Sequence, residues 1–391
     1  MSTLNILRGL AAAAKSTKTT NKDRYMADSA SGKWERTYNQ REACDATNLH
    51  PRKIIAACKE LALDFRDGNK FCISATDVKK LNEQFGTRIT RPPGSDLAVW
   101  CVTQQKGGST KTTLAATIAA GLATECFNNW RIGVIDMDPQ ATATMLLKPN
   151  FDDSMFSVGD LLTDNIKLGE NETFESVCKS SFYQTNLPSL RVLCARDEDR
   201  HYETHVERNR IAANKDNAEY TSYRDLNRII NAVKDDFDIL IVDTSPYFSA
   251  ATYTAHYSAN NIIVPVRPSE NDTDSSEKYF DQLADIYEIL AGMGHTGYEN
   301  IIVQPAAVKQ SPSHIETIAR IRNTYFGHCS QFDFADSDAV LNCAKQYSTI
   351  YDVSASEYVM GSNKSLVRVQ NLTLQIIKDI ETKSRQFWSN K

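Results

Sequence analysis

The chain has 391 residues, 41% hydrophobic and 24% charged, with a formal net charge of −5, which is ordinary for a globular protein with room for two or three domains. No run of roughly 18 apolar residues occurs, which argues against a membrane span. The opening Met1-Ser2-Thr3-Leu4-Asn5-Ile6-Leu7-Arg8 lacks the regions of a signal peptide, so none is expected. Nine cysteines (Cys44, Cys58, Cys72, Cys101, Cys126, Cys178, Cys194, Cys329 and Cys343) stand singly, with no Cys-x-x-Cys pair. Free thiols in a reducing cytosol are therefore expected, without a zinc or disulfide framework. Residues 1–94 hold 17 Lys+Arg against 10 Asp+Glu, and the remainder 27 against 39. A basic front on an acidic body points to an appended module that meets a polyanion, with a solvated basic tail as the plainer alternative.

Residues 1–30 begin with Leu4, Ile6, Leu7, Leu10 and Ala11 to Ala14, which fit a short helix followed by a polar stretch. An exposed linker and a dimerisation arm are both open. Arg41 to Thr47 reads as one short helix, Asn48-Leu49-His50 as a turn, and Pro51 as the first residue of a second helix through Leu61. On that second helix Ile54, Ile55, Cys58 and Leu61 face inward and Arg52, Lys53 and Lys59 outward. This is the helix-turn-helix layout, whose second helix can enter a major groove. Residues 63–73, with a turn at Asp67-Gly68-Asn69, read as a hairpin wing, and Ser74 caps a last helix through Phe85, closed by Gly86. A winged helix-turn-helix over 31–94 is expected, against a small helical adaptor. Arg91-Pro92-Pro93-Gly94-Ser95 is a linker, which gives three parts: 1–30, 31–94 and 95–391.

The third part opens with the apolar run Leu97 to Val102, a buried strand, then Gln105-Lys106-Gly107-Gly108-Ser109-Thr110-Lys111-Thr112-Thr113, then a helix of small residues. Strand, glycine turn, Lys-Thr and helix is the layout of a phosphate-binding loop. Gly107 and Gly108 let backbone N–H groups converge on an anion, and the helix N-terminus adds its positive end. Lys111 would hold the β/γ-phosphates and the Thr112 hydroxyl would ligate Mg²⁺. The glycine usual before that lysine is Thr110, and an extra lysine, Lys106, stands in front.

Further on, Arg131 to Asp136 reads as a strand ending in Asp136-Met137-Asp138-Pro139-Gln140, two carboxylates that can straddle one site. Residues 151–168 are expected to be a helical excursion, 190–195 a strand, and 196–215 a charged segment best read as a solvated helix. After a helix over 223–233, Phe237 to Val242 is a buried strand ending in Asp243, placed where open α/β sheets bind ligands. Strands at 261–266 and 300–305 alternate with helices at 273–290, 315–326 and 362–384. This alternation predicts a doubly wound, mostly parallel sheet.

The deviant loop Lys106-Gly107-Gly108-x-x-Lys111-Thr112, the Asp136-x-Asp138-Pro-Gln motif and the strand ending in Asp243 resemble the ParA/MinD family of dimeric ATPases. A basic N-terminal module ahead of them resembles the large, DNA-binding form of the ParA partition proteins. The resemblance runs over nearly the whole chain, close at the three motifs and faint over 150–220. It implies a P-loop fold binding ATP and Mg²⁺, with residues 106–113 around the nucleotide, Thr112, Asp136 and Asp243 about the metal, and Asp138 orienting water. It also implies a homodimer in which Lys106 reaches the partner's nucleotide, and hydrolysis stimulated by a ParB-type centromere-binding protein. The ATP form would bind DNA without sequence preference, and the N-terminal module would bind an operator, placing the protein on the nucleoid in the cytoplasm. Arg52, Lys53 and Lys59 are the candidates for operator contacts, and Arg320, Arg322, Lys364 and Arg368 for non-specific DNA. Where relatives carry Pro-Arg near the base, this chain has Ala335-Asp336, so no adenine contacts are carried over. Three rivals stay open: a MinD-like membrane-cycling regulator anchored by its C-terminus, a nitrogenase-reductase-like enzyme, and a nucleotide-gated repressor.

Overall fold

The computed structural model describes residues 3–85, 90–108, 110–125, 130–215 and 221–389. Gly86, Ser109 and Cys126 lie outside the described residues.

The chain opens with α1 (Thr3–Tyr25), twice the length expected. Leu4, Ile6, Leu7 and Leu10 are all about half exposed along it. Then come β1 (Thr37–Tyr38), α2 (Gln40–Thr47), α3 (Pro51–Glu60), β2 (Arg66–Asp67), β3 (Lys70–Phe71), β4 (Ile73–Ser74) and α4 (Ala75–Gln84). Local sequence explains each piece. Asn39 and Glu42 close a capping box on α2, left-handed Asn48 ends it, Pro51 starts α3, and Ser74 accepts from Asp77 N at the head of α4. Asp67 pairs with Lys70 across a two-residue turn whose Gly68 has φ +58. Ile54, Ala57 and Cys58 of α3 join Ala43, Ile73, Val78 and Leu81 in one small core. Thr37 and Tyr38 pair with β4, because β-branched and aromatic residues suit the edge that Ile73 offers.

The remainder is built on an eight-stranded sheet. Its strands are β5 (Ala98–Val102), β6 (Ile132–Asp136), β7 (Phe182–Gln184), β8 (Leu190–Leu193), β9 (Ile239–Asp243), β10 (Asn261–Val266), β11 (Asn300–Val308) and β12 (Phe334–Ala335). Their order is β12-β11-β10-β5-β9-β6-β8-β7, and all are parallel except β7, which runs antiparallel to β8 at the edge. β5, β6, β9 and β10 are buried along their whole length, as strands covered on both faces must be.

One face is covered by α5 (Lys111–Thr124) and α6 (Thr142–Leu147). The other carries α7 (Val158–Leu162), α8 (Phe174–Ser180), α9 (His201–Lys215), α10 (Asp225–Val233), α11 (Ala250–Ser258) and α12 (Glu270–Gly292). α13 (Pro312–Thr324), α14 (Asp338–Lys345) and α15 (Asn363–Ser389) complete the fold, the last two returning to the α5 face. α5 is apolar all round and buried, and Gly121 lets it approach α15 closely: a Cβ there would fall 2.1 Å from Ile377 Cδ1. The expected excursion over 151–168 contains only the five-residue α7, since its aspartates and Ser154 close turns on themselves.

Phe387 and Trp388, at the end of α15, are buried, with Trp388 packed on Trp130 at 5.2 Å. Among the described residues no helix is long and apolar enough to cross a membrane.

Candidate functional site

β5, β9 and β6 are neighbours in the sheet, so their C-terminal ends gather three motifs from distant stretches of sequence. The loop after β5 passes through Gly107 and Gly108 before α5 begins at Lys111. Gly108 has φ +74, a conformation natural to glycine, and a Cβ at either glycine would meet nothing within 4 Å. The loop amides therefore border open space that a ligand can fill. Thr110 also adopts the left-handed region, with φ 67, at the N-cap of α5, where its side chain does not cap the helix amides. The backbone of an ordinary phosphate loop is kept here without its glycine, at a cost on the order of 1–2 kcal/mol.

Lys111 is buried, and desolvation lowers its pKa while Asp243 and Asp138 pull it back up. Thr112 and Thr113 follow it, half-buried, on the first turn of α5, and Lys106 is half-buried at the front of the loop. Arg267, which the sequence did not single out, donates from Nη1 to the Gly108 carbonyl at 3.2 Å and ties the loop to the end of β10.

Asp136 and Asp243 end β6 and β9 and are both fully buried. Burial pushes both carboxyls up, each aggravated by the nearby aspartates. Asp136 is well held: Thr144 N and Thr144 Oγ1 each donate to its Oδ2 at 2.8 Å, and Asp138 N donates to Oδ1 at 3.2 Å. Asp243 is not. The Thr112 hydroxyl and the Lys111 ammonium temper its rise, yet neither of its oxygens accepts a well-formed hydrogen bond. A buried carboxylate without donors costs several kcal/mol unless something cationic completes it. Asp138 is half-buried, its Oδ1 accepting from Gln140 N at 3.0 Å. Thr144 escaped the sequence reading because an i, i+8 threonine is no motif; only the turn at Ala141 brings it back over Asp136.

At the C-terminal ends of β11 and β12 lies a cavity of about 280 Å³ lined by Val308, Lys309, Ala335, Asp336, Ser337 and Arg368. Arg52, Lys53 and Lys59 are exposed on α3, opposite its buried face, and Lys364 and Arg368 are exposed at the start of α15. Arg320 is exposed on α13. Arg322 corrects its expectation. It is half-buried, its guanidinium bound to Asp333 at 2.7 Å, Gln331 O at 2.8 Å and Ser330 O at 3.3 Å. Those carbonyls and that carboxylate satisfy its fork where solvent was expected.

The parallel sheet, the loop entering α5 and the strand-end aspartates beside it place the molecule among the P-loop nucleoside triphosphatases. A family model described as an AAA domain matches residues 97–291. Plasmid partition protein A of Escherichia coli is 23% identical over 311 residues, covering 76% of this chain and 74% of that protein. Among solved structures, a "Partition Protein" aligns with a TM-score of 0.65 at 17% identity, covering 97% of this chain and 99% of that one. An ATP complex of a Cyanothece McdA variant aligns at 0.56 and 16%, covering 74% and 98%. The chain belongs to the ParA-type partition ATPases.

Proposed function

We propose that this chain is a DNA-partition ATPase that dimerises on ATP, with residues 106–113 enclosing the triphosphate. The observation that carries the reading is Asp243, a buried carboxylate whose oxygens accept no well-formed hydrogen bond, set beside a buried lysine and an open glycine turn. This donor set fits a hard divalent cation and a polyphosphate. Thr112, Asp136 and Asp243 would hold Mg²⁺, which when bound supplies charge neutralisation at the phosphates. Lys111 binds the β/γ-phosphates, and the loop amides cradle them. Asp138 orients the attacking water. Lys106 crosses to the nucleotide of a second copy, so the site is complete only in a dimer. The cavity at the ends of β11 and β12 would receive the base, since ligands of open α/β sheets lie outside the carboxyl ends of the strands.

The N-terminal unit, with its exposed Arg52, Lys53 and Lys59 on α3, is read as a winged helix-turn-helix that binds an operator and represses its own operon. Lys364, Arg368 and Arg320 are candidates for non-specific phosphate contacts on nucleoid DNA, and Arg322 is withdrawn from that set. A ParB-type centromere-binding protein would stimulate turnover. Phe387 and Trp388 are buried against the core, so these two residues do not offer a membrane the apolar face that a MinD-like anchor would need.

ATP turnover with and without plasmid DNA tests the reading in wild type, Lys111→Ala and Lys106→Ala. Both variants should lose turnover, and Lys106→Ala should also fail to dimerise on ATP. A Lys106→Ala protein that dimerises and turns over normally overturns the shared site.

A further inference from the structure

α6 is six residues long, on the order of 9 Å, and is fastened at both ends. Its start leans on the nucleotide site: Ala141 caps it with φ 55 and no side-chain hydrogen bond, and Thr144 grips Asp136. Its end is gripped by a stretch of chain from far away. Lys33 Nζ donates to Leu146 O at 2.8 Å and pairs with Asp352 Oδ1 at 2.7 Å, the two side chains only 5% and 2% exposed. Lys148, just past the helix, donates to Ala30 O, and Asn150 Nδ2 donates to the same oxygen at 3.1 Å. Gly32, at φ +73, passes so close that a Cβ would fall 2.8 Å from Asn150 Cβ.

The same stretch runs on into the N-terminal unit. Arg36 Nη1 reaches Glu125 Oε1 at 2.7 Å and Tyr351 O at 3.1 Å, while Arg36 O accepts from Ala75 N at 2.9 Å, at the head of α4. Removing one partner of this buried ion pair between Lys33 and Asp352 would leave the other charge uncompensated, so the contact matters more than a surface pair of the same length.

We propose that segment 27–36 is a latch, and that a nucleotide at the Asp136 end of α6 and a closed latch at the Leu146 end favour the same position of that helix. Lys33 and Thr144 are then positioning residues. The inference rests on the nucleotide reading above. Coupling of this kind is reciprocal: nucleotide must tighten the latch by the factor by which the latch tightens nucleotide.

Backbone amide exchange on the full-length wild type, with and without magnesium and a non-hydrolysable ATP analogue, reads the first half. The amides of Ala27, Ser29 and Gly32, bonded within the segment, should exchange on the order of 5-fold more slowly with the analogue present. The second half is the analogue's dissociation constant for Lys33→Met and Asp352→Asn, which should rise by a like factor in both. Analogue that binds while exchange in 27–36 and both constants stay at their unliganded and wild-type values overturns the latch alone. Analogue that does not bind wild type overturns the nucleotide reading, and the latch with it. The wild-type exchange measurement decides the matter even if a variant fails to fold.

Discussion

Asp136 and Asp243 stand opposite one another in register on the adjacent parallel strands β6 and β9, and neither has exposed surface. Neighbouring strands lie roughly 4.8 Å apart, so two carboxyls share one desolvated spot. Asp136 is compensated by Thr144 and by Asp138 N, whereas Asp243 is left without well-formed hydrogen bonds. The fold therefore carries an unfavourable feature that Thr112 and Lys111 offset in part and that a bound cation would relieve further.

Asp243→Asn should stabilise the ligand-free protein while abolishing magnesium-dependent turnover. Asp243 has a folded pKa above its unfolded value of about 4, so its stabilising contribution is full below that pH and is lost as pH rises. Asparagine does not titrate. The advantage of the variant in thermal or urea unfolding should thus be small near pH 4 and grow as pH rises towards neutral. Magnesium with nucleotide should reverse the order. An unchanged gap across that range would mean the carboxyl is not strained by burial.

Two glycines should fail for different reasons. Gly108→Ala meets no atom but must hold φ +74, so it should cost about 1–2 kcal/mol from the backbone alone. Gly121→Ala has an ordinary backbone but drives a methyl into Ile377 and Tyr351, and should cost about 1–3 kcal/mol through overpacking. Nucleotide affinity separates them: it should fall with Gly108→Ala and hold with Gly121→Ala at temperatures where that variant is folded. Equal losses of affinity would show that the two glycines are not doing separate jobs.

The nucleotide motifs were legible because each is local: a turn needs its glycines, and a strand end needs its acid, within ten residues. The sheet was legible because fully buried strands read as unbroken apolar runs such as Ile239 to Val242. Fidelity fell where one residue depends on another far along the chain. Thr144 acts only through the turn at Ala141, Arg267 only because β10 lies beside β5, and Lys33 only through Asp352, over three hundred residues away. Short pieces were also missed. β7 and β12 hold two or three residues each, too few for a period to show. Arg322 read as exposed because helix periodicity cannot see the loop that folds back to meet it.

Beneath the phosphate loop, His256 bridges Thr103 Oγ1 at 3.2 Å and Tyr298 Oη at 2.9 Å, wholly buried. Burial holds its pKa down to about 3. An unfolded histidine titrates near 6.5, so between those values the unfolded chain binds a proton that the native one refuses. Stability from this residue is full above pH ~6.5 and falls as the solution is acidified. His256→Gln should flatten the fall in unfolding free energy between pH ~6.5 and ~4, measured against wild type by urea titration. Parallel pH profiles for the two proteins would show that the imidazole titrates in the native state as it does in the unfolded chain, and that burial does not hold its pKa down.

On α3, Arg52, Lys53 and Lys59 project from the side opposite Ile54, Ala57 and Cys58. Replacing all three with alanine removes no buried contact, so stability should stay within about 0.5 kcal/mol of wild type. If they touch DNA phosphates, each contact contributes roughly 0.9 to the slope of log affinity against log salt. Binding to the protein's own upstream DNA should therefore weaken, and that slope should drop by about 2 to 3. Nucleotide affinity should not change, because none of the three belongs to the loop or the strand-end acids. A variant with the wild-type salt slope would move the DNA surface off α3 and onto the exposed Lys364 and Arg368 at the start of α15.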